Sequence, residues 1–123
     1  MKIPTGHQTI MPYIIVKEAG KFMDFLKNVF GAEETAKYMR NESEIMHAEV
    51  NINGSTVMFA GSTGQWQAQN AGMFIYVEDV DKTYKKALEQ GATSLMEIED
   101  KEYGRSGGIR DPFGNVWWIT TIK

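Results

Sequence analysis

The sequence predicts an α+β fold made of two βαβββ units in tandem. Three observations carry that prediction. Short apolar, β-branched runs alternate with two segments of helical period. Each helical segment closes on a glycine followed by alanine. The second half also repeats residues of the first: Ile14 and Val16 correspond to Ile75 and Val77, Gly31-Ala32 to Gly91-Ala92, and Gly54 to Gly114. A duplicated unit explains a register that survives from helix cap to turn, with chance similarity between two strand-helix units as the alternative. At 123 residues the chain fits one domain, 1–123, with repeat one over about 9–61 and repeat two over about 71–122.

Each element has its own signal. Thr9 to Val16 is apolar and β-branched, and Pro12 marks an edge or a bulge. In Glu18 to Gly31 the apolar residues Ala19, Phe22, Phe25, Leu26, Val29 and Phe30 recur at spacings of three and four, as one face of a helix requires. Strands follow at about Glu34 to Met39, Ile45 to Ile52 and Ser55 to Ala60, the last two joined by the hairpin pair Asn53-Gly54. The polar stretch after Gly61 reads as a loop holding Trp66. The order then restarts with a strand at Gly72 to Val77 and a helix presenting Val80, Tyr84, Ala87 and Leu88 on one face. Strands at about Thr93 to Ile98, Gly107 to Arg110 and Asn115 to Ile122 complete the chain, with Asp111 to Gly114 as a turn.

Composition narrows the function classes. Hydrophobic residues make up 42% and charged residues 24%, with a formal net charge of -3, so no basic footprint for nucleic acid is present. The chain has no cysteine, which excludes disulfides, thiol nucleophiles and thiolate zinc sites. No apolar run is long enough for a signal peptide or a membrane span, and the expectation is a soluble, cytoplasmic protein with no membrane partner.

The segments YVEDVDKTYKKALEQGA (Tyr76 to Ala92) and RDPFGNVWWIT (Arg110 to Thr120), in this order and separation, resemble the vicinal oxygen chelate superfamily of glyoxalase I, extradiol dioxygenases, and fosfomycin and bleomycin resistance proteins. GAEE, HAE and DPFG further resemble the demethylubiquinone methyltransferase-like subgroup. Methyl transfer itself does not follow, because no glycine-rich strand-to-helix motif is present to hold S-adenosylmethionine. The resemblance implies curled mixed sheets, helices on their convex faces, a homodimer, and a divalent metal held by four concave-face ligands. Those positions fall at Met11 (or Pro12), Met58, Gly72 and Trp118, none of which suits a hard or borderline cation. The expectation is no metal at the family position and no cofactor. A relocated cation site using His7, His47 and carboxylates stays open.

Strand alternation, anchored on those positions, assigns the faces. Met11, Tyr13 and Ile15, then Thr56, Met58 and Ala60, then Phe74 and Tyr76, then Trp118 and Thr120, face the cavity. Ile14, Val16, Val57, Phe59, Ile75, Val77, Trp117 and Ile119 face the helices, together with Met46, Ala48, Val50 and Ile52. That leaves His47, Glu49 and Asn51 on the cavity side, with His47 and Glu49 as an acid-base pair or as a structural hydrogen bond. His7 reads as exposed and idle. Tyr103, Arg105 and Arg110 form a candidate rim for an anionic group, or pair with surface acids such as Glu102 and Asp111. Trp66 reads as a lid or a dimer contact.

Three functions fit these residues. The first is a metal-independent protein that binds a small, partly apolar molecule on Met11, Tyr13, Met58, Trp66, Phe74, Tyr76 and Trp118, with Tyr103, Arg105 and Arg110 at the rim. The second is an isomerase or lyase using His47 and Glu49. The third is a scaffold for protein contact, its cavity filled by its own side chains.

Overall fold

The structure is a computed structural model that describes every residue from Met1 to Lys123. The chain forms two compact units. One comprises Met1–Lys27 and Gly31–Gln69, the other Asn28–Phe30 and Asn70–Lys123.

The first unit contains β1 (Tyr13–Val16), α1 (Ala19–Phe30, whose last three residues group with the second unit), β2 (Glu33–Met39), β3 (Ile45–Ile52) and β4 (Ser55–Gly61). Its sheet has the order β1-β4-β3-β2, with β1 parallel to β4 and the remaining pairs antiparallel. β1 begins four residues later than the sequence predicts, because Pro12 has no N–H to give the ladder; its carbonyl still accepts from the Met58 N–H at 3.0 Å. Helix α1 ends where Gly31 takes the left-handed conformation, φ 67°. Asn53 and Gly54, with φ 48° and 101°, make the tight turn between β3 and β4 that their sequence announces. Alternation sends Ile14, Val16, Ala48, Val50, Val57 and Phe59 to the buried face. Phe22 of α1 meets Phe59 edge-on at 4.9 Å, so the helix lays its apolar stripe on that face.

Met46 departs from its predicted face. The β2–β3 register shifts between Tyr38 and Met39, and this bulge re-aims the start of β3. Ile45 is therefore buried, and Met46 is exposed on the other side.

The second unit repeats the plan with β5 (Gly72–Tyr76), α2 (Val80–Glu89), β6 (Thr93–Lys101), β7 (Gly104–Arg110) and β8 (Val116–Ile122). Its order, β5-β8-β7-β6 with β5 parallel to β8, matches the first sheet strand for strand. Asp79 caps α2 by accepting from the Lys82 N–H, and Val80 and Ala87 are its buried residues. Leu88, predicted on that apolar face, is instead exposed at the helix end.

The two neighbouring tryptophans of β8 separate cleanly. Trp117 is buried, and its indole N–H donates to Asp111 at 2.9 Å. Asp111, itself buried, also accepts from the backbone N–H groups of Phe113 and Asn115, both at 2.9 Å. One carboxylate thus fixes the turn and anchors the strand that leaves it. Trp118 points to the opposite face and lies across Gly108, where any side chain would collide with the indole ring. Thr120, predicted to face the cavity, is buried and bonded to Ser106 at 2.8 Å.

Candidate functional site

In the first unit, the face of the sheet opposite the apolar core carries a cavity of about 780 Å³. Tyr13 and Ile15 of β1, Met46 of β3, and Ala60 and Gly61 of β4 line its sheet side, joined by Arg40. Thr63, Gln65, Trp66 and Gln69 of the following loop line the rest. That loop is closed by backbone bonds at both ends. The Ser62 N–H donates to the Val16 carbonyl at 2.9 Å, and Gln69 exchanges two hydrogen bonds with Ile15, at 2.9 and 3.1 Å. Between them the Trp66 N–H donates to the Thr63 hydroxyl oxygen, and the Thr63 N–H donates to the Trp66 carbonyl, both at 2.8 Å. These bonds present the Trp66 ring, more than half exposed, at the cavity.

Beside the cavity runs a chain of polar side chains. Glu49 receives His7 Nε2 on one oxygen and His47 Nε2 on the other, each at 2.8 Å. His47 Nδ1 lies 3.2 Å from the Tyr13 hydroxyl. The simplest proton assignment has both Nε2–H groups donating to the carboxylate, which leaves His47 Nδ1 to accept from Tyr13. The hydrogen bond from His47 is the largest cause that holds the Glu49 carboxyl below its ordinary range, with His7 adding to it and burial opposing both.

His7 is therefore not idle. Its segment folds back over the ends of β3 and β4: the Thr56 hydroxyl donates to the Gly6 carbonyl, and the Thr56 N–H donates to the Gln8 side chain at 3.1 Å. This cover also buries Thr56, which the alternation places in the open cavity.

Of the residues expected at the site, Tyr13 and Trp66 line this cavity, and His47 and Glu49 stand next to it on β3. Met58 pairs with Tyr13 and Glu49 across the sheet, and Met11 precedes β1. In the second unit Phe74, Tyr76, Tyr103 and Trp118 are exposed aromatic residues. Phe74 packs against Tyr76 at 5.1 Å and Tyr103 at 6.3 Å, and it pairs with Trp118 in the ladder. The predicted rim loop is mostly strand, since β7 starts at Gly104. Arg105 is a member of that strand, and Asp81 engages it through two bonds of 2.9 and 3.0 Å, with Asp100 at 3.2 Å. These acids, rather than Glu102 and Asp111, satisfy it and raise its pKa. Arg110 is exposed at the end of β7.

The four positions at which the related fold carries a metal hold thioethers at Met11 and Met58 in one unit, and Gly72 and the Trp118 indole in the other. This donor set does not fit a divalent cation. His7 and His47 are bonded to Glu49, and no group of three or more His, Cys, Asp or Glu is arranged to hold a metal. Arg40, Met46, Gln65 and Gln69 are lining residues that the sequence did not reveal. Arg40 stands at the end of a strand with no motif around it, and the two glutamines sit in a loop of irregular backbone.

Comparison with known proteins agrees with this architecture. A protein of Mycobacterium bovis is 31% identical over 120 residues, covering 88% of this chain and 79% of its own. The crystal structure of TioX from Micromonospora sp. ML1 superposes with a TM-score of 0.78 at 20% identity, covering 95% of this chain and 100% of that one. TnmS3, an antibiotic binding protein from Streptomyces sp. CB03234, superposes with a TM-score of 0.68 at 18% identity, covering 95% and 100%. The sequence profile of the Glyoxalase/Bleomycin resistance protein/Dioxygenase superfamily matches residues 6–119, and the chain belongs to that superfamily.

Proposed function

We propose that the protein binds a small, partly apolar molecule in the cavity of its first unit, without a metal ion. The observation that carries this reading is a hollow of about 780 Å³ lined by Tyr13, Ile15, Met46 and Trp66, within the size range of small-molecule sites. Aromatic faces and a thioether suit a flat ligand, and Trp66 on its closed loop is placed to cover it. The likeness of the fold to an antibiotic binding protein is consistent with sequestration as the activity. The test is fluorescence titration against aromatic metabolites and antibiotics. A ligand that changes the emission of the wild type should change that of Trp66→Phe much less, because Trp66 is the tryptophan that lines the cavity. Emission unmoved across the whole panel would sink the reading.

A second reading is an isomerase or lyase acting on a small carbonyl compound, favoured by the chain from Glu49 through His47 to Tyr13. The carboxylate holds the His47 tautomer, and the half-exposed Tyr13 hydroxyl brings the proton-transfer path to the cavity. Its test is deuterium uptake from solvent by α-carbonyl compounds, followed by NMR. No uptake with the wild type, or undiminished uptake with His47→Ala, removes it. In either reading the protein works in the cytoplasm as a homodimer, and the aromatic surface around Phe74 and Trp118 offers area for a partner to cover.

A further inference from the structure

We propose that the ligand of the first-unit cavity is an anion, an aromatic or otherwise flat apolar body with one carboxylate, and that Arg40 is the residue that selects it. The inference rests on the reading of that cavity as the binding site. Arg40 is the one formally charged residue of the lining; the others are apolar, aromatic, hydroxyl or amide groups. Its guanidinium is fixed rather than wandering, because Nη2 donates to the Gly61 carbonyl at 2.9 Å. Position 61 is closed to a side chain by the Ile45 carbonyl oxygen, which a Cβ there would approach to 2.6 Å, so the carbonyl that holds Arg40 belongs to a residue with no side chain beside it. The nearest carboxylate, Glu44, stands 3.8 Å from Nη1, beyond hydrogen-bond distance, and is 59% exposed, whereas the Arg40 side chain is only 29% exposed.

The Gly61 carbonyl takes one of the five N–H donors, and Glu44 is near enough to share the charge without a hydrogen bond, so donors remain for another acceptor. No acid lines this cavity, and Glu18 and Glu44 belong to a second hollow that Arg40 also borders. A ligand carboxylate entering the cavity would meet this part-exposed cation with two parallel, charge-assisted bonds. The flat body would then extend toward Tyr13, Met46 and Trp66. Arg105, the rim arginine that the sequence suggests for this task, is already committed to Asp81 and Asp100.

The experiment compares acid and amide pairs of one shape, benzoate with benzamide and 2-naphthoate with 2-naphthamide, by calorimetry and Trp66 fluorescence on the intact protein. The wild type should bind each acid at least about tenfold more tightly than its amide, a difference of the size expected for a charge-assisted bidentate contact. Arg40→Gln should bring the pair to within about twofold, the acid losing more affinity than the amide, and Arg40→Lys should keep part of the preference. Far-UV circular dichroism establishes that both variants are folded. Equal affinity for acid and amide in the wild type, or a preference that survives Arg40→Gln, overturns the role of Arg40 and leaves the cavity reading standing. Failure of every acid and every amide to bind overturns both.

Discussion

At Asp111 a single side chain holds together what the chain separates into a turn and a strand. Its oxygens accept from Phe113, Asn115 and the Trp117 indole, and it is only 3% exposed. Asp111→Ala would leave three donors in a dry environment, at a cost of about 3 kcal/mol in stability. Urea denaturation measures this, and a loss within experimental error would show that water replaces the carboxylate. Glu49 makes a prediction of a different kind. Its folded-state pKa lies below the ordinary carboxylate value, so as pH falls the unfolded chain takes the proton first. The stability it contributes is complete above the ordinary value of 4.5 and disappears as pH falls through the depressed one. The stability gap between wild type and Glu49→Gln should therefore be larger at about pH 5.5 than at about pH 3. A gap unchanged between those two values contradicts the assigned hydrogen bonds.

Among the elements, period two assigned the core face and misassigned part of the other. In β3, β4 and β8 it buries Ala48, Val50, Val57, Phe59, Trp117 and Ile119 as expected, but a bulge turns Met46 outward, the N-terminal segment covers Thr56, and Thr120 is buried against Ser106. β7 reads GRSGGIR, a poor strand by propensity, and it exists because β6 and β8 bond it on both sides. Its glycines have work of their own: the Trp118 ring occupies the side-chain space of Gly108, and Tyr84 of α2 presses on Gly107. Gly108→Ala should cost about 2 kcal/mol by forcing the indole aside, and adding Trp118→Leu should recover part of that loss. If the double variant is no more stable than Gly108→Ala, the two residues do not share that space. The N-terminal segment was illegible for the converse reason. His7 reaches Glu49 through a fold-back with no periodicity, and only the assembled sheet shows what it covers.

At the scale of the molecule, the tandem repeat was the most legible feature. Equal strand orders in two sheets follow from equal sequence plans. The choice of anion-gripping residue was not legible, because it depends on which arginine finds acids nearby after folding: Arg105 finds two, and Arg40 finds none within hydrogen-bond distance. Self-association belongs to this scale as well. Sedimentation velocity should give twice the chain mass of 13.9 kDa, and Trp118→Glu, which sets a charge in the exposed aromatic surface, should shift the mass toward a single chain. A wild type that sediments as one chain at micromolar concentration would contradict the dimer. The bridge between Gln69 and Ile15 has one more consequence. It occupies the side of β1 that faces away from β4, so the sheet offers new strands only its other margin, β2. That margin carries exposed Glu33, Glu34 and Lys37, charges that make a poor template for a stray chain. The loop that lines the cavity therefore also closes one edge of this sheet to strand addition.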